Sequence, residues 1–363
     1  MPDGPRESPY GQPLRQQETE PYRILPVFFI LATMIGLFLV YNCLHIYPML
    51  QTTLPPNMVD AEVRERGVQQ GLVFNVITFL VFLSYFRCVF VHPGEVPNEP
   101  PWLYTGMFGT SSLPLQEAKK SGERRHCKWC GKYKPDRCHH CRVCKTCILK
   151  MDHHCPWIYN CVGFHNYKFF FLLLFYVVLD TNFMVYTMAE TMIRAIDEDA
   201  PFVEMYLLLF GLSLAFFLAV LITMFFGFHV WLVAMGLSTI ELCERKYPRS
   251  ESADRGGTCL GDCADNQSPF NLGVCRNICA VLGNNPLCWL LPLSGSPGDG
   301  LVYQVAGPRR GFEVGRGAHR TRGRAGKAPE ATPQDHCGAP QGAPTKSFGL
   351  PGLSEALFVP ATR

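Results

Sequence analysis

The chain has 363 residues, 48% of them hydrophobic, and its 33 Lys and Arg against 30 Asp and Glu leave a net charge of only +3. So slight a charge gives no basis for a nucleic-acid partner. The apolar residues are gathered into four long blocks, which excludes an ordinary soluble core. Residues 1–22 are polar and proline-containing and read as a flexible N-terminal arm. The first apolar block runs from Ile24 to about Tyr41 and the second from Leu72 to about Phe90. The first begins too far from the start, and is too long, for a cleavable leader. A connector with several turn formers, "HPGEVPNEPPW", follows the second block. The third block spans Phe169 to about Met188 and the fourth Met205 to about Met235. Each is long enough for a membrane helix, which takes about 20 mostly apolar residues.

Lys and Arg are concentrated between the second and third blocks, whereas the two shorter loops are acidic or mixed. By the positive-inside rule both termini and the 91–168 loop face the cytosol. Seventeen cysteines are present, and eight lie between Cys127 and Cys161, within that loop. Disulfides are disfavoured in the cytosol, so the cluster points to metal binding or catalysis. Beyond the fourth block, "PFNLGVCRNICAVLG" has the spacing of a short amphipathic helix at the membrane surface. The chain then turns rich in Gly, Pro, Ala and Arg and reads as disordered. Its basic stretch from Arg309 to Lys327 reads as solvated, with anionic lipid as the alternative contact. The expected divisions are 1–22, 23–91, 92–168, 169–235, 236–300 and 301–363.

The Cys-rich block reads C127-x2-C130-x7-C138-H139-H140-C141-x2-C144-x2-C147-x7-C155-x5-C161. Cysteines three apart in sequence present two thiolates to one ion, and the block holds too few apolar residues to fold by itself, so zinc is expected. Two tetrahedral sites need eight ligands, and cysteines plus histidines exceed that number. Spacing leaves the division open. A ribbon of Cys127, Cys130, Cys138 and Cys141 would satisfy it.

The block through "HCKWCGKYKPDRCHHCRVCKTCILKMDHHCPWIYNCVGFHNYKFF" resembles the DHHC-type protein S-acyltransferases, or palmitoyltransferases. The resemblance continues in "HPG" at His92–Gly94, where that family usually has Asp-Pro-Gly, and in "STIE" at Ser238–Glu241, where it has Thr-Thr-x-Glu. "FNLGVCRNICAVLGNNPLCWLLPLSGSPGDG" adds a weaker echo, so about residues 20–300 are covered. The resemblance implies an all-α polytopic membrane protein: four transmembrane helices, with a cytosolic, loop-rich two-zinc domain between the second and third. It implies interleaved structural zinc sites, one of Cys127, Cys130, His140 and Cys147, the other of Cys141, Cys144, His154 and Cys161. Cys138 is then a spare thiol. It also implies that Cys155 carries an acyl group.

Asp152, His153 and Cys155 supply the residue types for that chemistry. A thiol needs a base to become a nucleophile, and a carboxylate can fix the tautomer of that base. The acyl donor expected from the resemblance is a long-chain acyl-CoA such as palmitoyl-CoA. Lys134, Arg137 and His139 are the candidate cations for its phosphates. Trp157 and Phe170 are the candidate walls of an acyl cavity. Asp180, inside the third block, reads either as setting that cavity's depth or polarity or as lying near the lumenal mouth with Asn182. Cys259, Cys263, Cys275, Cys279 and Cys288 read as structural or unmodified, with acylation or a lesser metal site as the alternative. The expected partners are acyl-CoA, the bilayer, and cytosolic or membrane-bound proteins with cysteines near the membrane; a homo-oligomer is left open. The expected location is an endomembrane (Golgi or ER) or the plasma membrane. The competing reading is a membrane-anchored zinc adaptor or ligase without acyl transfer.

Overall fold

The computed structural model describes residues 21–104, 115–119, 123–246 and 268–306. The N-terminal arm before residue 21, Cys259 and Cys263, the basic stretch from Arg309 to Lys327 and the tail beyond residue 306 lie outside the described residues.

Among the described residues, four helices are long and apolar enough to cross a membrane: Tyr22–Leu50, Ala61–Phe90, Tyr167–Asp197 and Phe202–Met235. The first comprises α1 (Leu25–Val40), a π-helical turn at Tyr41–Ile46 and a last turn at Tyr47–Leu50. The second is α2 (Ala61–Phe90), which starts eleven residues before the apolar block at Leu72. Its start is set by a cap, since the Asp60 carboxylate accepts the amides of Glu62 and Val63 at 2.9 and 3.2 Å. Gly67 lets the end of the first helix approach closely, because a Cβ there would lie 2.8 Å from that of Met49. The remaining pair are α3 (Tyr167–Asp197) and α4 (Phe202–Ala234), and α3 packs against both α2 and α4.

The segment between α2 and α3 is not loop alone. Its described residues hold three two-stranded antiparallel hairpins. These are β1 (His126–Cys127) with β2 (Lys132–Tyr133), β3 (His139–Cys141) with β4 (Thr146–Ile148), and β5 (His153–Cys155) with β6 (Asn160–Val162). The expectation of an all-α chain therefore holds for the membrane helices and not for this segment. Strands of two or three residues leave no alternating apolar run to be read from sequence.

The third hairpin is fixed to the helix ends. The Asn160 amide donates to the carbonyls of Cys88 and Val91 at 3.0 Å each, satisfying acceptors left over at the end of α2. Tyr85 donates to the Trp157 carbonyl at 3.0 Å. The Asn166 side chain bridges Cys161 O and Gly163 N, each at 2.8 Å, just before α3 begins. Gly163 is obligatory: a Cβ there would fall 2.6 Å from Ile148 and 2.8 Å from the Pro93 carbonyl. His92, in place of the usual Asp, accepts the Gly94 amide on Nδ1 at 3.1 Å, as a carboxylate would in an Asx turn.

After α4 come α5 (Thr239–Lys246) and α6 (Val274–Leu282). The Asn277 amide ties α6 to the Ala234 carbonyl at 2.9 Å. The stretch after α6 is held by its backbone: Lys168 reaches Cys288 O at 3.0 Å, Arg87 reaches Leu293 O at 2.6 Å, and Tyr176 bonds Leu290 O. Residues 301–306, expected to begin the tail, are packed. Leu301 and Tyr303 lie against the core of the Cys-rich segment, and the Ala306 amide bonds Pro269 O at 2.9 Å.

Candidate functional site

Across β3 and β4, His140 stands opposite Cys147, and across β5 and β6, His154 stands opposite Cys161. Each His–Cys pair is completed by two cysteines from the preceding hairpin, one at the end of its first strand and one in its turn. The result is two groups: Cys127, Cys130, His140 and Cys147, then Cys141, Cys144, His154 and Cys161. Within each group all ligand atoms lie within 4.8 Å of one another. Sulfur-to-Nδ1 distances are 3.3, 3.5 and 3.9 Å in the first and 3.5, 3.5 and 3.7 Å in the second. A tetrahedral zinc with Zn–S near 2.3 Å and Zn–N near 2.0 Å needs edges of about 3.5 Å. The clusters therefore fit structural zinc, with no position left for water. The β3–β4 hairpin contributes to both. Cys138 is wholly buried, packs with Cys127 and Cys147, and belongs to neither group.

Side chains alternate along a strand. In β5 this sends His154 to the metal group and leaves His153 and Cys155 together on the other face. His153 Nδ1 donates to Asp152 Oδ2 at 2.7 Å, and its ring also hydrogen-bonds Cys155. Asp152 is 1% exposed and Cys155 6%. The carboxylate is held from the far side by Thr239, whose amide reaches Oδ1 at 2.9 Å and whose hydroxyl reaches Oδ2 at 2.8 Å. Burial alone would push His153 down. The hydrogen bonds and charges of Asp152 and Cys155 outweigh it and raise the imidazole to about 10. Burial likewise works to raise Asp152, but the bond from His153 and the neighbouring imidazoles hold it well below the usual carboxylate value. The arrangement is a carboxylate, an imidazole and a thiol in line, able to take a proton from sulfur and keep it.

The DHHC palmitoyltransferase family model matches residues 120–246. Palmitoyltransferase ZDHHC15 of Mus musculus is 40% identical over 195 residues, which are 53% of this chain and 54% of that protein. Palmitoyltransferase ZDHHC2 of Rattus norvegicus is 40% identical over 192 residues, 53% of this chain and 49% of that one. Palmitoyltransferase ZDHHC15 of Xenopus laevis is 32% identical over 256 residues, 64% of this chain and 71% of that one. The chain belongs to the DHHC palmitoyltransferase family. It is a multi-pass membrane protein, and it spans about half the length of the first curated relatives it matches.

The "STIE" stretch of this DHHC chain is a hinge pin between the Cys-rich segment and α5. Ser238 and Glu241 form a capping box: the Ser238 amide donates to Glu241 Oε2 at 3.0 Å and the Glu241 amide to Ser238 Oγ at 3.3 Å. Serine in place of threonine keeps the oxygen that the box requires. Glu241 also receives Arg137 through two bonds, at 2.6 and 2.9 Å.

Of the three cations expected to face a CoA headgroup, Arg137 is 5% exposed and committed inward. Besides Glu241 it donates to Gly236 O at 3.1 Å and stacks over Phe270 and Tyr303 at 4.8 and 5.4 Å. Its work is to join the Cys-rich segment to the chain after α4. Burial, with Arg125, Lys134 and Arg137 nearby, pushes His139 down to about 3, so its ring is uncharged at neutral pH. Lys134 is half-buried. Trp157 is 45% exposed and lies 6.4 Å from the ring of Phe29 on α1. Phe170 is buried edge-on to His153 at 5.2 Å. Asp180 accepts the Thr78 hydroxyl at 2.9 Å between α2 and α3, a partner the sequence did not indicate. Thr239 escaped the sequence reading as a residue with its own role; the only signal was its place in "STIE".

Proposed function

We propose that this chain is a protein S-acyltransferase that moves palmitate, or a similar long acyl chain, from acyl-CoA to cysteines of membrane-proximal proteins. The observation that carries this reading is the buried Asp152–His153–Cys155 alignment beside two complete four-ligand Cys3His groups. A pure binding module has no use for a non-ligand thiol paired with an oriented imidazole.

His153 takes the proton of Cys155, and the thiolate adds to the thioester carbonyl carbon. Collapse of the adduct breaks the carbon–sulfur bond to CoA, whose sulfur recovers the proton from His153. A substrate thiol then gives its proton to His153, attacks the acyl group on Cys155 and releases that sulfur, which is reprotonated. Asp152 keeps the imidazole oriented through both halves. The two Cys3His groups would hold zinc ions, which would fix the hairpins structurally, while the residues of this chain handle the bond making.

Topology follows from the charge distribution: both termini and the Cys-rich segment in the cytosol, in an endomembrane or the plasma membrane. The bond from Asn160 to the Cys88 carbonyl of α2, and that from Tyr85 of α2 to the Trp157 carbonyl, support a position of Cys155 at the bilayer surface. A sixteen-carbon chain lying among the helices would contribute on the order of 10 kcal/mol at about 0.8 kcal/mol per methylene. Trp157 and Phe170 are the assigned walls, and Lys134 is the assigned headgroup cation.

The test is uptake of label from radiolabelled palmitoyl-CoA by purified protein. Label released by hydroxylamine is expected on wild type and absent from Cys155→Ser. Equal labelling of the two ends the proposal. Zinc content is expected to persist in Cys155→Ser and to fall in Cys144→Ser.

A further inference from the structure

His229 lies near the end of α4 and has no exposed surface. Its ring is enclosed by Phe225, Phe170 and Phe228 at 4.7, 5.1 and 5.5 Å, and its centroid is 6.2 Å from that of His153. Nδ1 is 3.3 Å from the Tyr167 hydroxyl. Nε2 is buried and has no hydrogen-bond partner among the described residues. Nothing in the proton transfer between Cys155 and His153 uses this ring.

The Tyr167 contact decides where the proton of a neutral ring sits. If Nδ1 donated to the phenol oxygen, the phenol O–H and the Nε2 lone pair would both be left without partners. If the phenol donates to Nδ1, only Nε2–H is left over. The second arrangement leaves fewer buried groups unpaired and is therefore preferred. A single buried N–H donor then remains within an apolar cage, one ring away from the reacting thiol. Such a group is costly unless something pairs with it during function.

Acyl transfer supplies that partner. When the Cys155 thiolate adds to a thioester, the carbonyl π pair moves onto oxygen, and the negative charge needs a donor fixed in advance. In many acyl-transfer sites the amide after the nucleophile contributes. Here that residue is Pro156, which has no N–H.

We propose that Nε2–H of His229 donates to the thioester carbonyl oxygen as Cys155 adds to it. The inference rests on the acyl-transfer reading above. His229 gives up no proton: the N–H stays on the ring, the oxyanion forms and collapses against it, and His153 handles the proton from sulfur.

The experiment is single-turnover acylation of the purified full chain by radiolabelled palmitoyl-CoA at a series of concentrations. His229→Phe keeps an aromatic ring without the donor, and His229→Gln keeps an N–H donor. The maximal rate of His229→Phe is expected to fall about 10²–10³-fold, the loss typical of one oxyanion donor. Its half-saturating palmitoyl-CoA concentration and its zinc content are expected to be unchanged. His229→Gln is expected to recover a substantial part of the rate. His229→Leu replaces the phenylalanine variant if that one loses zinc. A donorless variant acylating at the wild-type rate overturns the proposal. So does a glutamine variant no faster than the donorless one, or a loss that appears only as a raised half-saturating concentration. Wild type that takes up no label removes the acyl-transfer reading itself, and the donor with it.

Discussion

Thr239→Val removes one hydroxyl and nearly preserves shape, so it isolates the bond to Asp152 Oδ2 at 2.8 Å. That acceptor is an ionised, buried carboxylate, and its Oδ2 is also the atom that receives His153 Nδ1. Hydrogen bonds to charged groups contribute about 1.5–3 kcal/mol, and removing one partner leaves the other underbonded. The amide of Thr239 still reaches Oδ1, so Asp152 stays anchored at one oxygen and free to rotate about it. If the whole of that loss reaches the acylation step, the rate falls by about 10- to 150-fold. The assay is single-turnover transfer from labelled palmitoyl-CoA to Cys155, fitted for maximal rate and half-saturation separately. The rate should fall, half-saturation should hold, and Thr239→Ser should restore most of the loss. A Thr239→Val protein with the wild-type rate, or a serine variant as slow as the valine, refutes the argument that Asp152 is positioned from α5.

Breaking the Arg137–Glu241 pair with Glu241→Gln leaves a guanidinium buried without its counter-ion, and should cost about 3–5 kcal/mol. A lower unfolding temperature in detergent checks this, with the Cys-rich segment becoming protease-sensitive before the membrane helices. Cys138→Ser should retain both zinc ions, whereas Cys147→Ser should lose one, as measured by metal analysis of purified protein; zinc loss from the first would favour the simple ribbon. Lys150 is buried, and burial together with the Arg137 charge pushes it down to about 7. Because its folded value lies below the unfolded one, charging it opposes folding below pH 7, and that penalty fades as pH rises toward the unfolded value of about 10.5. Lys150→Met should therefore raise the unfolding temperature most at pH 6 and least near pH 10.

The four membrane helices and the Cys-rich block were legible because both are local signals. A run of apolar residues and a CxxC step declare themselves within a few positions. The start of α2 was not legible from hydropathy, because Ala61–Gly71 is polar helix; only the Asp60 cap marks it. Arg137 looked like a surface cation because its partner Glu241 is 104 residues away. No window of sequence contains both, and the charge alone cannot tell a phosphate ligand from an internal clamp. Thr239 and His229 are obscure for the same reason. One is an ordinary helix-start residue, and the other a histidine in an apolar span, until folding sets each beside the triad.

The alternation in β5 bears on how such a chain can vary. A substitution in Lys150–Cys161 changes one side chain, but inserting or deleting one residue at the start of β5 shifts that strand's register. Because the faces of a strand swap with each step, such a change would turn His153 toward the metal group and His154 toward the thiol side. Both functions would fail from a single alteration that leaves composition almost unchanged. The length of this stretch is therefore more tightly constrained than the identity of most of its residues, and tolerated length changes should fall in the connectors on either side.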